Sequence, residues 1–99
     1  MNIKIQSIHF DADQKLLDTI EAKVQKIARV FPKVHETLVY LKLDASNGGI
    51  HQKIAEIKVN LPGKTLFAEE QSMSFEESLD VALENVLSQL KKHKDKLQD

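Results

Sequence analysis

Two stretches of alternating side chains near the middle of this 99-residue chain constrain its fold more than any other feature. The apolar side chains that share one face are Val39, Leu41 and Leu43 in residues 37–44, and Ala55, Ile57, Val59 and Leu61 in residues 54–61. A period of two is typical of a half-buried strand, because successive side chains of a strand point to opposite faces. Asn47-Gly48-Gly49 lies between the two stretches and indicates a turn. The pattern therefore predicts a β-hairpin with one buried face.

Two further strands are predicted on either side of this hairpin. Residues 2–8 alternate in the same way, and Ile3 and Ile5 take the inward positions. Pro62-Gly63 indicates a second turn, and the segment from Lys64 to Gln71 that follows it is a shorter and less regular strand. Its inward side chains are Leu66 and Ala68.

Apolar residues at helical spacing predict two helices. The first helix begins at Asp13, a good N-cap residue, and ends before Pro32. Its apolar positions are Leu16, Leu17, Ile20, Val24, Ile27, Ala28 and Phe31. Ser74-Phe75-Glu76-Glu77 has the pattern of a capping box, in which Ser74 and Glu77 satisfy each other's backbone N–H groups. The second helix continues from there to the C-terminus, and its buried stripe consists of Phe75, Leu79, Ala82, Leu83, Val86, Leu90 and Leu97.

The predicted order of elements is β-α-β-β-β-α, which defines an α+β fold. The helix between the first two strands implies a right-handed crossover that makes these strands parallel, while the later connections are short enough for hairpins. A four-stranded mixed sheet with two helices on one face is the simplest architecture that buries both apolar stripes. The length predicts a single domain, residues 1–99. Without cysteines, a signal peptide or a membrane segment, the expected location is cytoplasmic.

Motifs that carry catalysis or metal binding are missing from the sequence. His9, His35, His51 and His93 contain no pair at metal-binding helical spacing, and there is no phosphate-binding or dinucleotide-binding glycine motif. Glu69 and Glu70 are adjacent, so on a strand they point to opposite faces and are poor candidates for a catalytic pair. We therefore expect no enzyme activity, no cofactor, no metal and no small-molecule substrate.

The distribution of charge is more informative than the net charge of −1. On a helical wheel the first helix gathers Lys15, Lys23, Lys26 and Arg29 along one side. In the second helix, Lys92 and Lys96 share one flank and Lys94 lies on the other. Acids crowd the start of this helix and lysines its end, which also complements the helix macrodipole. From the residues alone, a purely structural role and an anion-binding role for these lysines remain equally good interpretations.

The run SFEESLDVALENVLSQLKKHKDKL resembles the C-terminal helix of the bacterial ribosome hibernation promoting factor and ribosome-associated inhibitor family, also labelled sigma-54 modulation protein. The resemblance rests on Ser74, Leu79-Asp80, Gln89-Leu90 and the segment from Lys92 to Lys96. KVQKIARVF is similar to the family's first helix, and VYLKL, with Lys42, to its second strand. The similarity spans the whole chain and implies a fold close to a double-stranded-RNA-binding domain.

The resemblance implies a protein that binds the small ribosomal subunit near the decoding region and blocks the transfer RNA and messenger RNA sites during stationary phase or stress. Its partners would be that subunit and its ribosomal RNA, with no membrane. The basic positions that match the family pattern are Lys23, Lys26, Lys42, Lys92, Lys94 and Lys96. Arg29 joins them because it lies on the same basic side of the first helix. The chain ends at Asp99 without an acidic tail or a second domain, so we expect the short form of the family.

A protein-interaction module is the rival hypothesis. Leu38, Tyr40 and Ile54 lie on the predicted open face of the sheet, where uncovered apolar residues often mark a contact with a second copy or another protein. A weak homo-oligomer is therefore a further expectation. A ferredoxin-like small-molecule sensor would need a strand after the last helix, and the sequence ends without one.

Overall fold

The helices and strands are taken from a computed structural model that describes residues 1–47 and 50–97. In chain order the elements are β1 (Asn2–Ile8), α1 (Gln14–Val24), α2 (Lys26–Val30), β2 (Glu36–Asn47), β3 (Ile50–Leu61), β4 (Lys64–Ser72) and α3 (Phe75–Leu97). The predicted turn at Asn47-Gly48-Gly49 falls partly outside the described residues, since Gly48 and Gly49 are not among them. The second predicted turn is present, and Gly63 adopts a φ of 74°, which glycine accommodates without steric cost.

The strands form one four-stranded sheet in the order β1-β2-β3-β4. β1 pairs parallel to β2, while β2 with β3 and β3 with β4 pair antiparallel. This confirms the predicted α+β class and the mixed sheet. The hairpin strands are longer than the alternating stretches indicated, because backbone pairing continues past Leu43 through Asp44 with Gln52 and, after a shift in register, Asn47 with Ile50.

The core lies between the helices and one face of the sheet. The inward positions of the four strands meet the apolar stripes of α1, α2 and α3 in a single cluster. Its fully buried members include Ile20, Val24, Ile27, Val39, Leu41, Ile57, Val59, Leu79, Val86 and Leu90. Ile3 and Ile5 pack against this cluster from β1, as the alternation predicted. All described elements therefore share one core, and the opposite face of the sheet carries no helix.

The first predicted helix is divided at Gln25 into α1 and α2. The N–H of Ala28 donates to the carbonyl oxygen of Gln25, three residues back, so the backbone tightens locally without leaving the right-handed helical region. The tightening keeps Val24 and Ile27 fully buried together. The predicted N-cap is confirmed, because the Asp13 carboxylate accepts from the N–H of Leu16 at 2.8 Å.

Two details of the second predicted helix were wrong. Only half of the capping box forms: the Ser74 hydroxyl accepts from the N–H of Glu77, but the N–H of Ser74 donates to the Ser72 hydroxyl rather than to the Glu77 carboxylate. Leu97 is 63% exposed and not part of the core. The last aromatic contact of α3 joins His93 to Phe31, so Leu97 lies one turn past the packed part of the helix.

Leu79→Ala should lower the free energy of unfolding by about 2–5 kcal/mol, because it leaves a cavity at a site that is fully buried between α3 and the sheet. Urea denaturation measures this change. Val81→Ala in the same helix is the control, since Val81 is 44% exposed and should change stability by no more than about 0.5 kcal/mol. Equal effects of the two substitutions would contradict the described packing of α3.

Candidate nucleic-acid interface

The structure places the cations predicted to bind RNA on two opposite faces of the sheet. Lys42 belongs to the open face, because its neighbours Val39 and Leu41 turn inward and Lys42 pairs with Ile54 in β3. The other predicted cations lie on the helical side: Lys23, Lys26, Arg29, Lys92, Lys94 and Lys96. One flat surface could not contact both sets, so Lys42 is separated from the rest.

Lys42 is also neutralised by its neighbours. Its ammonium group donates to the carboxylate of Glu56, and this hydrogen bond raises the pKa of Lys42 above its ordinary value. Glu69 lies directly across from Glu56 on β4. Partial desolvation and the neighbouring Glu56 carboxylate both raise the pKa of Glu69. The middle of the open face is thus a compact group of mixed charge, which offers little to a phosphate.

Lys23 serves to connect two helices. Its ammonium group lies 2.7 Å from the carboxylate of Asp80, so α1 and α3 are joined by an ion pair near the start of α3. With 32% of the lysine side chain and 54% of the aspartate side chain exposed, such a pair adds only ~0–1 kcal/mol to stability. The positive charge of Lys23 is nevertheless largely balanced by Asp80 before any ligand binds.

The remaining predicted cations share two properties, exposure to solvent and the absence of an ion pair within the described part of the chain. They are Lys26, Arg29, Lys92, Lys94 and Lys96. The edge contact between Phe31 and His93, with ring centroids 5.8 Å apart, places the end of α2 beside the last turns of α3. The unpaired cations are therefore concentrated at one end of the helical layer, which we call the basic end.

The basic end has two flanks. Gln89 faces β4, because its side-chain amide donates to the carbonyl oxygen of Phe67 at 2.9 Å. Lys92 and Lys96 follow on that same side of α3 at near-helical spacing. Lys94 lies about 200° further around the helix from Lys92, towards the α2 side. The seam that holds Leu90 in the core runs between the two flanks.

Sequence reasoning missed Lys64, which lies on the first flank. A depression of about 160 Å³ between α3 and the start of β4 is lined by Lys64, Leu66, Gln89, Lys92, His93 and Lys96. The chain position of Lys64 after Pro62-Gly63 marks it only as the first residue of a predicted strand. Its place beside Lys92 and Lys96 depends on which turn of α3 lies over the start of β4, and neither periodicity nor composition specifies that.

Charge along α3 is strongly polarised. Glu76 and Glu77 occupy its first turn, and Lys94 and Lys96 its last. Anionic side chains near a helix N-terminus and cations near its C-terminus are each stabilising, by about 0.3–1 kcal/mol at low ionic strength. The same arrangement keeps carboxylates away from the basic end. A structural role and an anion-binding role are thus compatible in this helix.

Within residues 1–47 and 50–97, no three or more histidine or carboxylate side chains are grouped so that they could hold a metal ion. None of the helices in this part of the chain is long and apolar enough to cross a bilayer.

A four-stranded sheet with one helical face and a lysine-rich helix end defines a class of small α+β proteins suited to binding a polyanion. The chain belongs to the Sigma 54 modulation protein / S30EA ribosomal protein family, whose model matches residues 3–98. This confirms the resemblance that its last helix suggested. The factors of this family are not enzymes.

Relatives and solved structures agree with this assignment. The chain is 26% identical over 98 residues to the ribosome hibernation promoting factor of Pseudomonas putida, covering 99% of this chain and 91% of that protein. It is 25% identical over 101 residues to the factor of the same name from Escherichia coli (strain K12), covering 98% and 97%. Its fold is similar to a ribosomal subunit interface protein from Coxiella burnetii, with a TM-score of 0.84, 22% identity and coverage of 96% and 99%. The N-terminal domain of Thermus thermophilus Protein Y has a TM-score of 0.73, 24% identity and coverage of 94% and 99%.

Glu69→Gln should stabilise the protein at neutral pH. The raised pKa of Glu69 means that the folded protein binds this proton more readily than the unfolded chain, so stability falls as the pH rises from the ordinary carboxyl value through the raised one. Removing the charge also removes the repulsion from Glu56 across the strands, with a gain of about 0.2–1 kcal/mol.

Urea denaturation at several pH values measures this difference. The gain should shrink as the pH falls below the ordinary pKa of a glutamate, because Glu69 is then protonated in both states and resembles glutamine. A gain of equal size at acidic and neutral pH would show that charge repulsion is not its cause.

Proposed function

We propose that this protein binds the small ribosomal subunit through its basic end and promotes ribosome hibernation. It would act in the cytosol, near the decoding region, and inhibit translation in stationary phase or stress by occupying the transfer RNA and messenger RNA sites. Residues 1–99 would serve as a single ribosome-binding domain. The observation that carries the proposal is the concentration of unpaired cations at one end of the helical layer in a chain of this family.

Unpaired lysines favour a phosphate ligand for a simple electrostatic reason. A cation that already has a carboxylate partner must give up that contact to bind phosphate, whereas Lys92, Lys94 and Lys96 have none to give up among the described residues. Each phosphate that they neutralise releases condensed counterions, which provides affinity and makes it depend on salt. This supports RNA as the ligand even though the net charge of the chain is −1.

The two flanks suggest how the protein is oriented on RNA. An α-helix with its side chains is about 10–12 Å across, so cations on opposite sides of α3 can contact phosphates of two separate RNA segments. Arg29 and Lys26 extend the second flank from α2, beside the Phe31–His93 contact. A helix end held between two RNA segments would be recognised by shape, which is how folded RNA is usually distinguished by proteins.

Inhibition would then require no chemistry. The core of this domain is a single closely packed cluster, so the protein can occlude a binding site as a rigid body. Phosphate contacts would supply affinity, and the fit of the rigid domain to the subunit would supply specificity.

The open face of the sheet supports a second candidate, self-association. Phe67 is 50% exposed there and shares the face with half-buried Leu38 and Tyr40. Size-exclusion chromatography over a range of protein concentrations tests it. A dimer that ignores ribosomes would favour an interaction module over the ribosome-binding proposal.

Lys92→Glu with Lys96→Glu should weaken binding to purified small subunits and reduce its dependence on salt. Two lost phosphate contacts should lower the slope of log affinity against log salt concentration by about 2. Co-sedimentation with small subunits at several salt concentrations measures both quantities.

The control for this pair is a second double variant, which combines Lys58→Glu with Lys4→Glu and therefore changes the net charge by the same amount. Both control lysines lie on the open face, and the core separates them from the basic end. The proposal predicts that the control binds nearly as the unchanged protein does. Equal loss in the two double variants would mean that net charge alone governs binding, and no binding of the unchanged protein at low salt would refute the proposal.

A further inference from the structure

We propose that the depression between α3 and the start of β4 is a socket for one phosphate group of a nucleic-acid backbone, held by Lys64, Lys92 and Lys96. The identity of the phosphate as one of ribosomal RNA rests on the proposed function, whereas the socket itself does not. We call this depression the phosphate socket. Lys64 is its distinctive member, because it comes from the strand side and not from a helix.

The wall of the phosphate socket is held in place by hydrogen bonds. The side-chain amide nitrogen of Gln89 donates to the carbonyl oxygen of Phe67 at 2.9 Å and to the side-chain oxygen of Asn85 at 2.7 Å. The first bond connects α3 to β4 beside the socket, and the second holds the Gln89 side chain in place along α3. Leu66 lines it and is almost fully buried, so the apolar floor cannot move aside. The gap between the two elements is thus set by the fold and does not have to form on binding.

Like charges meet in this socket with no compensating acid among the described residues. Lys92 and Lys96 are four residues apart on one helix face, a spacing at which equal charges repel by a few tenths of a kcal/mol, about 0.2–0.5. Lys64 adds a third ammonium group from the strand, and within residues 1–47 and 50–97 no carboxylate residue lines the depression. None of the three forms an ion pair with any residue in the described ranges. An anion placed among them would relieve this repulsion.

Two other grooves among the described residues lack this property. The groove beside the starts of α1 and α3 contains Lys15 and Lys53, but Asp11, Asp13 and Glu76 also line it. The groove further along α3 has Lys92 at one edge together with Glu70 and Glu84. Carboxylates in both would repel a phosphate. Of these three surface depressions, only the phosphate socket combines several cations with no acid from the part of the chain that the structure describes.

The size of the socket indicates a group and not a whole small molecule. Its volume of about 160 Å³ is below the ~300–1,000 Å³ of pockets that enclose a drug-sized ligand or cofactor. A single phosphate fits the chemistry of its lining, because each lysine offers up to three N–H donors to the phosphate oxygens. The remainder of a nucleic-acid chain would continue over the exposed end of α3.

The first test uses the isolated protein and inorganic phosphate. In ¹⁵N-resolved NMR spectra, phosphate should shift the amide signals of Lys64, Leu66 and His93 in a saturable way, while sodium chloride at equal ionic strength should not. Lys64→Gln should abolish the saturable shifts, and Lys58→Gln should leave them unchanged. Lys58 is the matched control, since it is an exposed lysine of the same hairpin that lies on the opposite face of the sheet.

Shifts that do not saturate, or that survive in Lys64→Gln, would overturn the socket, whatever happens with ribosomes. Both variants alter exposed side chains, so neither should prevent folding; unchanged amide dispersion elsewhere in the spectrum checks this directly.

The second test asks whether the phosphate belongs to ribosomal RNA. Lys64→Glu should lower the slope of log affinity for small subunits against log salt by about 1, while Lys58→Glu should leave it unchanged. Saturable phosphate shifts without any ribosome binding by the unchanged protein would refute the proposed function and leave the socket standing. Ribosome binding that Lys64→Glu and Lys58→Glu affect equally would overturn the assignment of the socket to ribosomal RNA.

Discussion

Burial of one face of the sheet beneath α3 is the constraint on which the rest of this structure depends. Ile57, Val59 and Leu66 of β3 and β4 face the helix. They pack in one cluster with an apolar stripe of α3 that includes Leu79 and Leu90. Apolar area removed from water contributes about 25 cal/mol per Å², so this layer dominates the stability of so short a chain. Because the stripe has a fixed helical phase, burying it also decides where every polar residue of α3 points.

The basic end is a direct consequence of that phase. Once Leu90 is buried, Lys92 and Lys96 are turned towards β4 and Lys94 towards α2. The polarity of α3 then separates acids at its start from lysines at its end. A chain with a net charge of −1 can in this way present a local concentration of positive charge. For polyanion binding such a local concentration matters more than the average, since interactions between exposed charges are screened beyond about 8–10 Å at moderate ionic strength.

The open face of the sheet shows the opposite arrangement. Lys42 is paired with Glu56, Glu69 adds a second carboxylate across the strands, and Phe67 leaves an apolar ring exposed beside them. The two faces of the sheet therefore support the two proposals separately: the phosphate contact concerns the helical side, and self-association concerns the open face. The resemblance grouped the matched lysines as one set, although the alternation that turns Val39 and Leu41 inward already assigns Lys42 to the opposite face.

The sequence by itself determined the order of the elements, most of the inward set of each strand and the Asp13 cap, because these features depend on residues a few positions apart. It failed at Leu43, which was predicted to be buried and is 43% exposed, and at Leu97 and Gln25, because the limits of tertiary packing decide burial and helix continuity. Only the tertiary structure decided which cations are paired and which are free. Lys23 meets Asp80 across 57 positions of the chain, and Lys64 joins Lys92 and Lys96 because α3 crosses the start of β4. Contacts of that range follow from how the layers pack, and a local pattern does not encode them.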